Sequence, residues 1–273
     1  MVRVLWIALG LVLVSVAFIL WSVGDRSGGS ATGARLERMQ RSPQWNADKG
    51  RFDNRLGRHQ ASVLEMSRKF FFGGNAHRQP AEAIAVLDVD PTQFATPPAS
   101  GLRVTWLGHS TFLVEIDQLR VLIDPVWGER ASPVTWAGPA RFYRPPLLLE
   151  SLPKIDVVLI SHDHYDHLDS ETIKALSQRE VRWLVPLGVG AHLERWGVPS
   201  GRVEELDWWE QRSVAGVTFT ATPARHFSGR FIGDQNATLW VGWALEGAKR
   251  RLFYSGDTAL PGVQAHRRGA GPL

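Results

Sequence analysis

Most of the second half of the chain alternates short apolar runs with polar turns, a pattern typical of β-strands. The run at 155–160 is almost entirely apolar and β-branched, which predicts a strand buried on both faces. Just after it, Asp169 or Ser170 can cap an amphipathic helix. These elements predict one compact α/β domain over residues 101–273. The predicted strands are 102–107, 111–116, 121–123, 155–160, 182–185, 217–222, 239–245 and 252–254, with a hairpin turn at Asp117 and Gln118.

The N-terminal stretch 4–23 is uncharged and, at about 20 residues, long enough to cross a bilayer as a helix. Residues 1–24 are therefore predicted to be a transmembrane anchor, and the alternative is a cleaved signal peptide. Arginines cluster after this stretch and only Arg3 precedes it, which predicts a domain on the cytoplasmic side. The Gly/Ser-rich segment 25–34 predicts a flexible linker, within a linker and N-terminal extension over 25–100.

The composition of the chain limits which binding functions and metal ligands are possible. The 273 residues carry a formal charge of +4 without a long Lys/Arg block, so nucleic-acid binding is not expected. The chain has no cysteine, so disulfides and thiolate ligands are excluded. Any bound metal must be held by imidazoles and carboxylates.

Such groups are concentrated in one segment, 161–169, directly after the predicted strand at 155–160. Polar loops at the carboxyl ends of strands are where α/β proteins place their sites. Imidazoles with carboxylates suit Zn²⁺ and related ions. The alternative is a polar surface turn with fortuitous histidines. The clustered residues are His162, Asp163, His164, Asp166 and His167.

The string His-x-His-x-Asp-His after an apolar strand resembles the metal motif of the metallo-β-lactamase-fold hydrolases. The strings Trp-Leu-Gly-His-Ser at 106–110, Leu-Ile-Asp-Pro-Val-Trp at 122–127 and Arg-Pro-Pro at 144–146 resemble one branch of that family. That branch is the N-acylphosphatidylethanolamine-hydrolysing phospholipases D. The resemblance covers about residues 51–258 and implies an αββα sandwich.

The resemblance also implies a ligand set for two divalent ions, most often Zn²⁺, with Fe or Mn as other choices. The first ion would be held by His162, His164 and His226. The second would be held by Asp166 and His167, with Asp257 bridging the two ions.

For several other residues, the sequence is compatible with either a functional or a structural role. Asp124 is expected to orient a ligating histidine through a hydrogen bond, or else to cap a turn. Asp163 is a candidate catalytic residue, beside Asp166, that orients water or takes up a proton, or else a solvated spacer. Asp257 alone could be an ordinary turn residue, and His109 could be structural or functional.

The implied activity is hydrolysis of a phosphodiester bond in a membrane phospholipid, releasing phosphatidic acid and an N-acylethanolamine. Several arginines could bind the lipid phosphate or be plain surface charges. Because a fold does not fix a function, a lactonase or sugar-phosphate hydrolase stays open, as does an inactive remnant. The arginines are Arg141, Arg144, Arg225 and Arg230.

The family pattern continues beyond the Gly-Asp-Thr string at 256–258 with a strand, a helix and a final histidine ligand. Here 16 residues follow Asp257, rich in Gly, Pro, Ala and Arg and without strand or helix periodicity. His266 among them is expected to be a tail residue, not a ligand. The domain is therefore expected to be truncated, through a frameshift, and its second metal to lack one ligand.

Overall fold

A computed structural model describes residues 22–54, 80–231 and 233–259, with six separate positions between Trp6 and Phe18. Within this part of the chain, no helix is both long enough and apolar enough to cross a membrane. Most of the anchor predicted at 4–23 lies outside the described residues, and so do the tail from 260 onward and its His266. The predictions for these segments, and the domain boundaries, stay predictions.

The segment predicted to be a flexible linker, 25–34, packs against the domain instead. The Asp25 carboxylate accepts a hydrogen bond from Lys174 Nζ at 2.6 Å. Gly28 has a left-handed backbone, and a Cβ there would lie 2.2 Å from His192 Nδ1. The small residues thus permit close contact with the domain. The segment leads into α1 (Gly33–Gln40), β1 (Trp45–Asn46) and β2 (Arg51–Phe52).

The next six strands, β3 to β8, form a mixed sheet. Their order across the sheet is the same as their order along the chain. The first three strands pair antiparallel and the last four pair parallel, with β5 in both sets. Asp117 and Gln118 form the predicted turn between β4 and β5. Both have positive φ, 46° and 75°, as a tight hairpin turn requires. The strands are β3 (Leu102–Gly108), β4 (Thr111–Ile116), β5 (Leu119–Ile123), β6 (Val157–Leu159), β7 (Arg182–Pro186) and β8 (Val203–Leu206).

The second sheet is antiparallel and has the order β12-β11-β10-β9. Since β11 pairs antiparallel with both neighbours, β10 and β12 run in the same direction and end at the same edge. The strands are β9 (Gln211–Val214), β10 (Val217–Pro223), β11 (Val241–Glu246) and β12 (Arg251–Tyr254).

The two sheets face each other across the main apolar core. Val121 and Leu159 of the first sheet lie in one cluster with Phe219 and Trp243 of the second, and all four are fully buried or nearly so. Each predicted strand is present. This pair of facing sheets confirms the predicted metallo-β-lactamase type of sandwich, although a helical layer over the second sheet is not seen among the described residues.

Helices cover the outer face of the first sheet. The helix α2 (Ser170–Ser177) begins where predicted, because the Asp169 carboxylate accepts hydrogen bonds from the Thr172 N–H and hydroxyl. Its Ile173 is fully buried in a second apolar cluster between helices and sheet. The short helix α3 (Gly190–Arg195) packs on the same side. These helices fix the direction in which the loop between β6 and α2 leaves the sheet.

Candidate metal centre

Four strand ends from both sheets meet at one edge of the sandwich. Asp124 and residues 161–167 follow β5 and β6, which are parallel neighbours and therefore end together. His226 and Asp257 follow β10 and β12, which end together in the second sheet. The topology thus brings together candidates that lie far apart in the sequence.

Three imidazoles converge at this edge. His162 Nε2 lies 2.9 Å from His164 Nδ1, and His226 Nε2 lies 3.2 Å from the same nitrogen. Burial, followed by the neighbouring histidines, lowers the pKa of His162 well below 6.5, and burial also lowers the pKa of His164. Neutral imidazoles with their ring nitrogens on one point match the donor set of a Zn²⁺ site.

A second group adjoins the first. His167 Nε2 lies 3.2 Å from one Asp257 oxygen, and His226 Nε2 lies 3.8 Å from the other. Asp257 therefore reaches toward both groups, as a bridging carboxylate would. The pKa of Asp257 is lowered, chiefly by its hydrogen bond with His167. Burial lowers the pKa of His167, but hydrogen bonds with Asp124 and Asp257 outweigh it and raise that pKa to about 10.

Asp124 is buried next to these ligands and accepts several hydrogen bonds. Its carboxylate accepts hydrogen bonds from His167 Nδ1 at 2.7 Å, from Tyr254 Oη at 2.6 Å, and from the Ser161 N–H and hydroxyl at 2.6 and 2.5 Å. The residue is fully buried and has a positive φ of 43°, which aspartate tolerates better than most residues. The His167 contact is the orienting hydrogen bond expected for Asp124. Sequence reasoning missed Tyr254, since only the pairing of β12 brings it here.

Asp166 faces a histidine whose role the sequence left open. His109 Nε2 lies 3.0 Å from Asp166 Oδ2, and both side chains are partly exposed. With His167 they form another group whose ligand atoms all lie within 4.8 Å of one another. His109 sits in the turn between β3 and β4 with a φ of 47°. The Trp-Leu-Gly-His-Ser string was the sequence signal that pointed to this position.

Asp163 does not fit the catalytic role predicted for it. Its carboxylate accepts hydrogen bonds from the Gly229 N–H at 2.7 Å and the Thr238 hydroxyl at 2.8 Å, and faces His192 Nε2 at 3.4 Å. Although burial alone would raise the pKa of Asp163, these contacts lower it to about 2. The side chain is 1% exposed, so it is not a solvated spacer either. Asp163 belongs to the frame of the loop rather than to the converging ligands.

The arginines proposed as phosphate binders are also distributed differently. Arg230 is buried and donates only to backbone carbonyls among its mapped side-chain contacts. Arg144 pairs with Asp88 at the surface. Arg141 donates to the carbonyls of Val126 and Gly128. Of the four candidates, Arg141 lines the cavity next to the imidazoles.

That cavity, of about 390 Å³, opens beside the two groups of ligands. His109, His164 and Asp166 form its polar wall. The remaining lining is largely apolar and comes mainly from the 126–143 loop, which also contributes the charged Glu129 and Arg141. A substrate here would meet the ligands at one end and apolar surface at the other. The apolar residues of this lining include Val126, Ala131, Pro139, Ala140, Phe142 and Tyr143.

A family model described as the beta-lactamase superfamily domain matches residues 119–270, more than half of the chain. The chain belongs to this superfamily, and its sandwich and imidazole–carboxylate groups are those of the superfamily's metal-dependent hydrolases. The resemblance noted in the sequence is therefore confirmed at the level of the superfamily.

Individual proteins similar to this chain include curated relatives and a solved structure. An uncharacterised protein of Mycobacterium tuberculosis is 54% identical over 59% of this chain and 43% of its own length. N-acyl-phosphatidylethanolamine-hydrolyzing phospholipase D 1 of Caenorhabditis elegans is 40% identical over 62% of this chain and 50% of its own length. The chain thus spans half or less of the length of these relatives. The crystal structure of a possible metal-dependent hydrolase from Veillonella parvula has a TM-score of 0.50 at 19% identity, over 60% of this chain and 66% of that one, which shows the fold alone.

Proposed function

We propose that this chain is a binuclear metal-dependent phosphodiesterase that cleaves a phospholipid of the N-acylphosphatidylethanolamine type. The observation that carries the proposal is the position of Asp257 between His167 and His226, at 3.2 and 3.8 Å. A carboxylate shared by two imidazole groups is the arrangement that two neighbouring ions require. When bound, two divalent ions, in our proposal Zn²⁺, would lower the pKa of a water and offset charge on the phosphate oxygens.

The chain's own residues divide the remaining work. His162, His164 and His226 would hold one ion, and their lowered pKa values keep the first two neutral and ready to bind. His167, with Asp166 and Asp257, would hold the other. The Asp124 carboxylate fixes the ring orientation of His167. His109 would hold Asp166 in place, since its Nε2 lies 3.0 Å from the Asp166 carboxylate and its ring lines the cavity.

The substrate class rests on two supports. One is the cavity, whose apolar wall suits an acyl chain while its polar wall lies at the ligands. The other is the 40% identity to the phospholipase D of Caenorhabditis elegans over half of that protein. We further propose that residues 4–23 anchor the enzyme in a membrane with the domain in the cytoplasm. Cleavage of the domain by protease added outside sealed, right-side-out vesicles would contradict that orientation.

The test begins with metal content of the purified full-length protein by elemental analysis. About two equivalents of zinc, iron or manganese support the binuclear centre, and well under one equivalent in folded protein overturns it. The loaded protein is then given an N-acylphosphatidylethanolamine, a lactone and a sugar phosphate diester. Release of phosphatidic acid from the first substrate alone supports the proposal. Preference for either of the others assigns the centre to a different hydrolase.

A matched pair of variants ties activity to the site. Asp257→Asn keeps the size of the bridging side chain and removes its charge, so both metal content and turnover should fall. Asp48→Asn makes the same change at an exposed turn carboxylate that belongs to none of the candidate ligand groups. Equal activity of the two variants would place the chemistry elsewhere.

A further inference from the structure

Arg230 is an arginine buried behind the ligand loop, with 4% of its surface exposed. Its guanidinium lies 4.0 Å from the ring centroid of Tyr165 and 4.9 Å from that of Trp196, so it sits between two aromatic rings. Burying a cation at this depth is costly unless its donors are satisfied. The identity of its acceptors therefore shows what the residue does.

One nitrogen of Arg230 donates to both ends of the ligand loop, residues 162–168. Nη1 donates to the Asp163 carbonyl at 2.6 Å and to the Leu168 carbonyl at 2.7 Å. These two carbonyls flank the turn that carries His164, Asp166 and His167. The turn is also closed internally, since the His164 carbonyl accepts the N–H groups of His167 and Leu168. Arg230 thus fixes both ends of the segment that presents three candidate ligands.

The other nitrogens of Arg230 reach a different part of the chain. Nη2 and Nε donate to the Arg26 carbonyl at 2.6 and 3.2 Å. Nearby, the Asp25 carbonyl accepts the Trp196 indole N–H at 2.7 Å, and Lys174 pairs with the Asp25 carboxylate. A single guanidinium therefore joins the N-terminal segment 22–31 to the ligand loop. Lysine could not reproduce this, because an ammonium lacks the planar spread of five donors.

We propose that Arg230 is a positioning residue for the metal centre, and that it couples docking of the N-terminal segment 22–31 to metal binding. The inference rests on the metal centre of the proposed function. It goes beyond it because a segment that contributes no ligand is given control over the ligand loop. Linkage makes the coupling reciprocal: if docking favours metal binding, metal binding favours docking to the same degree.

The first experiment measures Zn²⁺ affinity by competition with a chromophoric chelator for the full-length protein, Arg230→Met and Arg230→Lys. Removing groups that orient metal ligands typically weakens affinity by about 10- to 100-fold, and we expect this range for Arg230→Met and a smaller loss for Arg230→Lys. The matched control is Arg179→Met. Arg179 also holds a loop through two carbonyls, those of Leu149 and Leu152, but lies outside the centre. Its substitution should lower thermal stability and leave Zn²⁺ affinity unchanged.

The second experiment reads the coupling at the N-terminal segment. Trypsin cuts after Arg26, so the rate of that cut reports whether the segment is docked. We expect slow cleavage in zinc-loaded wild type, faster cleavage after chelation, and fast cleavage with or without zinc in Arg230→Met. A merely structural role would not make the rate depend on zinc.

The outcomes separate the two proposals. Wild type without zinc binding overturns the metal centre, and this inference with it. Wild type that binds zinc, with a folded Arg230→Met of equal affinity, overturns this inference alone. If Arg230→Met does not fold, Arg230→Lys decides, and an affinity equal to that of wild type overturns the inference. Zinc-independent cleavage at Arg26 in wild type overturns the coupling.

Discussion

The two sides of the loop 162–167 differ in what their polar groups contact. We call the side with the converging imidazoles the front face and the side with Asp163 and Arg230 the back face. On the front face, His162, His164 and His226 turn their ring nitrogens toward one another at 2.9 and 3.2 Å, which is a donor set suited to an ion. On the back face, the buried polar groups of Asp163 and Arg230 are matched by donors and acceptors from the rest of the fold. The front face directs nitrogen atoms toward one another as metal ligands would, whereas the back face holds the loop to the rest of the fold.

This difference separates function from stability. A front-face substitution should remove metal binding and cost the metal-free fold less, because the buried His162 loses a single contact with another imidazole. A back-face substitution should chiefly lower the stability of the metal-free protein, since it leaves buried groups unpaired. The following predictions test this division.

The largest effect is expected for His164→Ala on the front face. Loss of one of three imidazoles should lower kcat/KM by about a thousandfold, on the scale of other essential site groups, with zinc content reduced. The stability of the metal-free protein, measured by urea denaturation, should fall by about 1 to 3 kcal/mol, because the buried His162 Nε2 loses its contact with His164. A fully active His164→Ala would remove His164 from the centre.

On the back face, Asp163→Ala should destabilise the metal-free protein by about 3 to 5 kcal/mol, as for other broken buried charge pairs. The change leaves the Gly229 N–H, the Thr238 hydroxyl and the buried His192 ring without the carboxylate that they face. Urea denaturation of the metal-free protein measures this, with Asp48→Asn as the control. A loss of activity without a loss of stability would return Asp163 to a catalytic role.

The pH dependence of stability should differ between the metal-free and zinc-loaded protein. The lowered pKa of His162 means that the unfolded chain binds more protons below about pH 6.5, so stability falls on acidification. The pKa of about 10 for His167 means that the folded chain keeps a proton above pH 6.5, so stability also falls toward pH 10. Metal-free protein should therefore be most stable near pH 6.5.

Zinc should abolish the alkaline decline, because an ion replaces the proton between His167 and Asp257. Thermal denaturation from pH 5 to pH 10, with and without chelator, makes the comparison. An alkaline decline that is identical in both forms would show that His167 carries no ion.

The smallest effect is expected for Thr238→Val. This change removes one hydrogen bond to the Asp163 carboxylate, worth about 1.5 to 3 kcal/mol of stability, and should leave kcat/KM within about twofold. Thr220→Val provides the reference, since Thr220 is a half-buried strand residue whose hydroxyl accepts a hydrogen bond from the exposed Gln211. A large drop in kcat/KM would show that the back face tunes the chemistry directly.

Sequence patterns were sufficient for the front face and for the strands that support it. Apolar runs such as 111–116 coincide with strands because their alternate faces are buried in the two clusters. The run at 155–160 was predicted too long, since only Val157–Leu159 pairs in the sheet. Four strands escaped prediction: β1 and β2 are only two residues long, and β8 and β9 are largely polar. In β8, Glu205 is buried because its carboxylate pairs with Arg35 and accepts the N–H groups of Gly188 and Gly190, contacts that no local pattern reveals.

The back face could not be predicted for the same kind of reason. The hydrogen bonds of Asp163 and Arg230 reach residues far away in the sequence, so neither spacing nor periodicity indicates them. Arg230 looked like a surface cation suited to phosphate, and its burial emerges only from the fold. The Gly/Ser composition around Gly28 suggested flexibility, although here it permits close packing against His192.

The convergence of ligands from both sheets also sets the order of assembly during folding. His162 and Asp257 lie on different sheets and are brought together only when β12 has joined its sheet and the two sheets have docked. Contacts between segments so distant in sequence form slowly, because loop closure must precede them. We therefore expect zinc capture to be among the last events of refolding, so that its onset in a stopped-flow trace dates the completion of the sandwich.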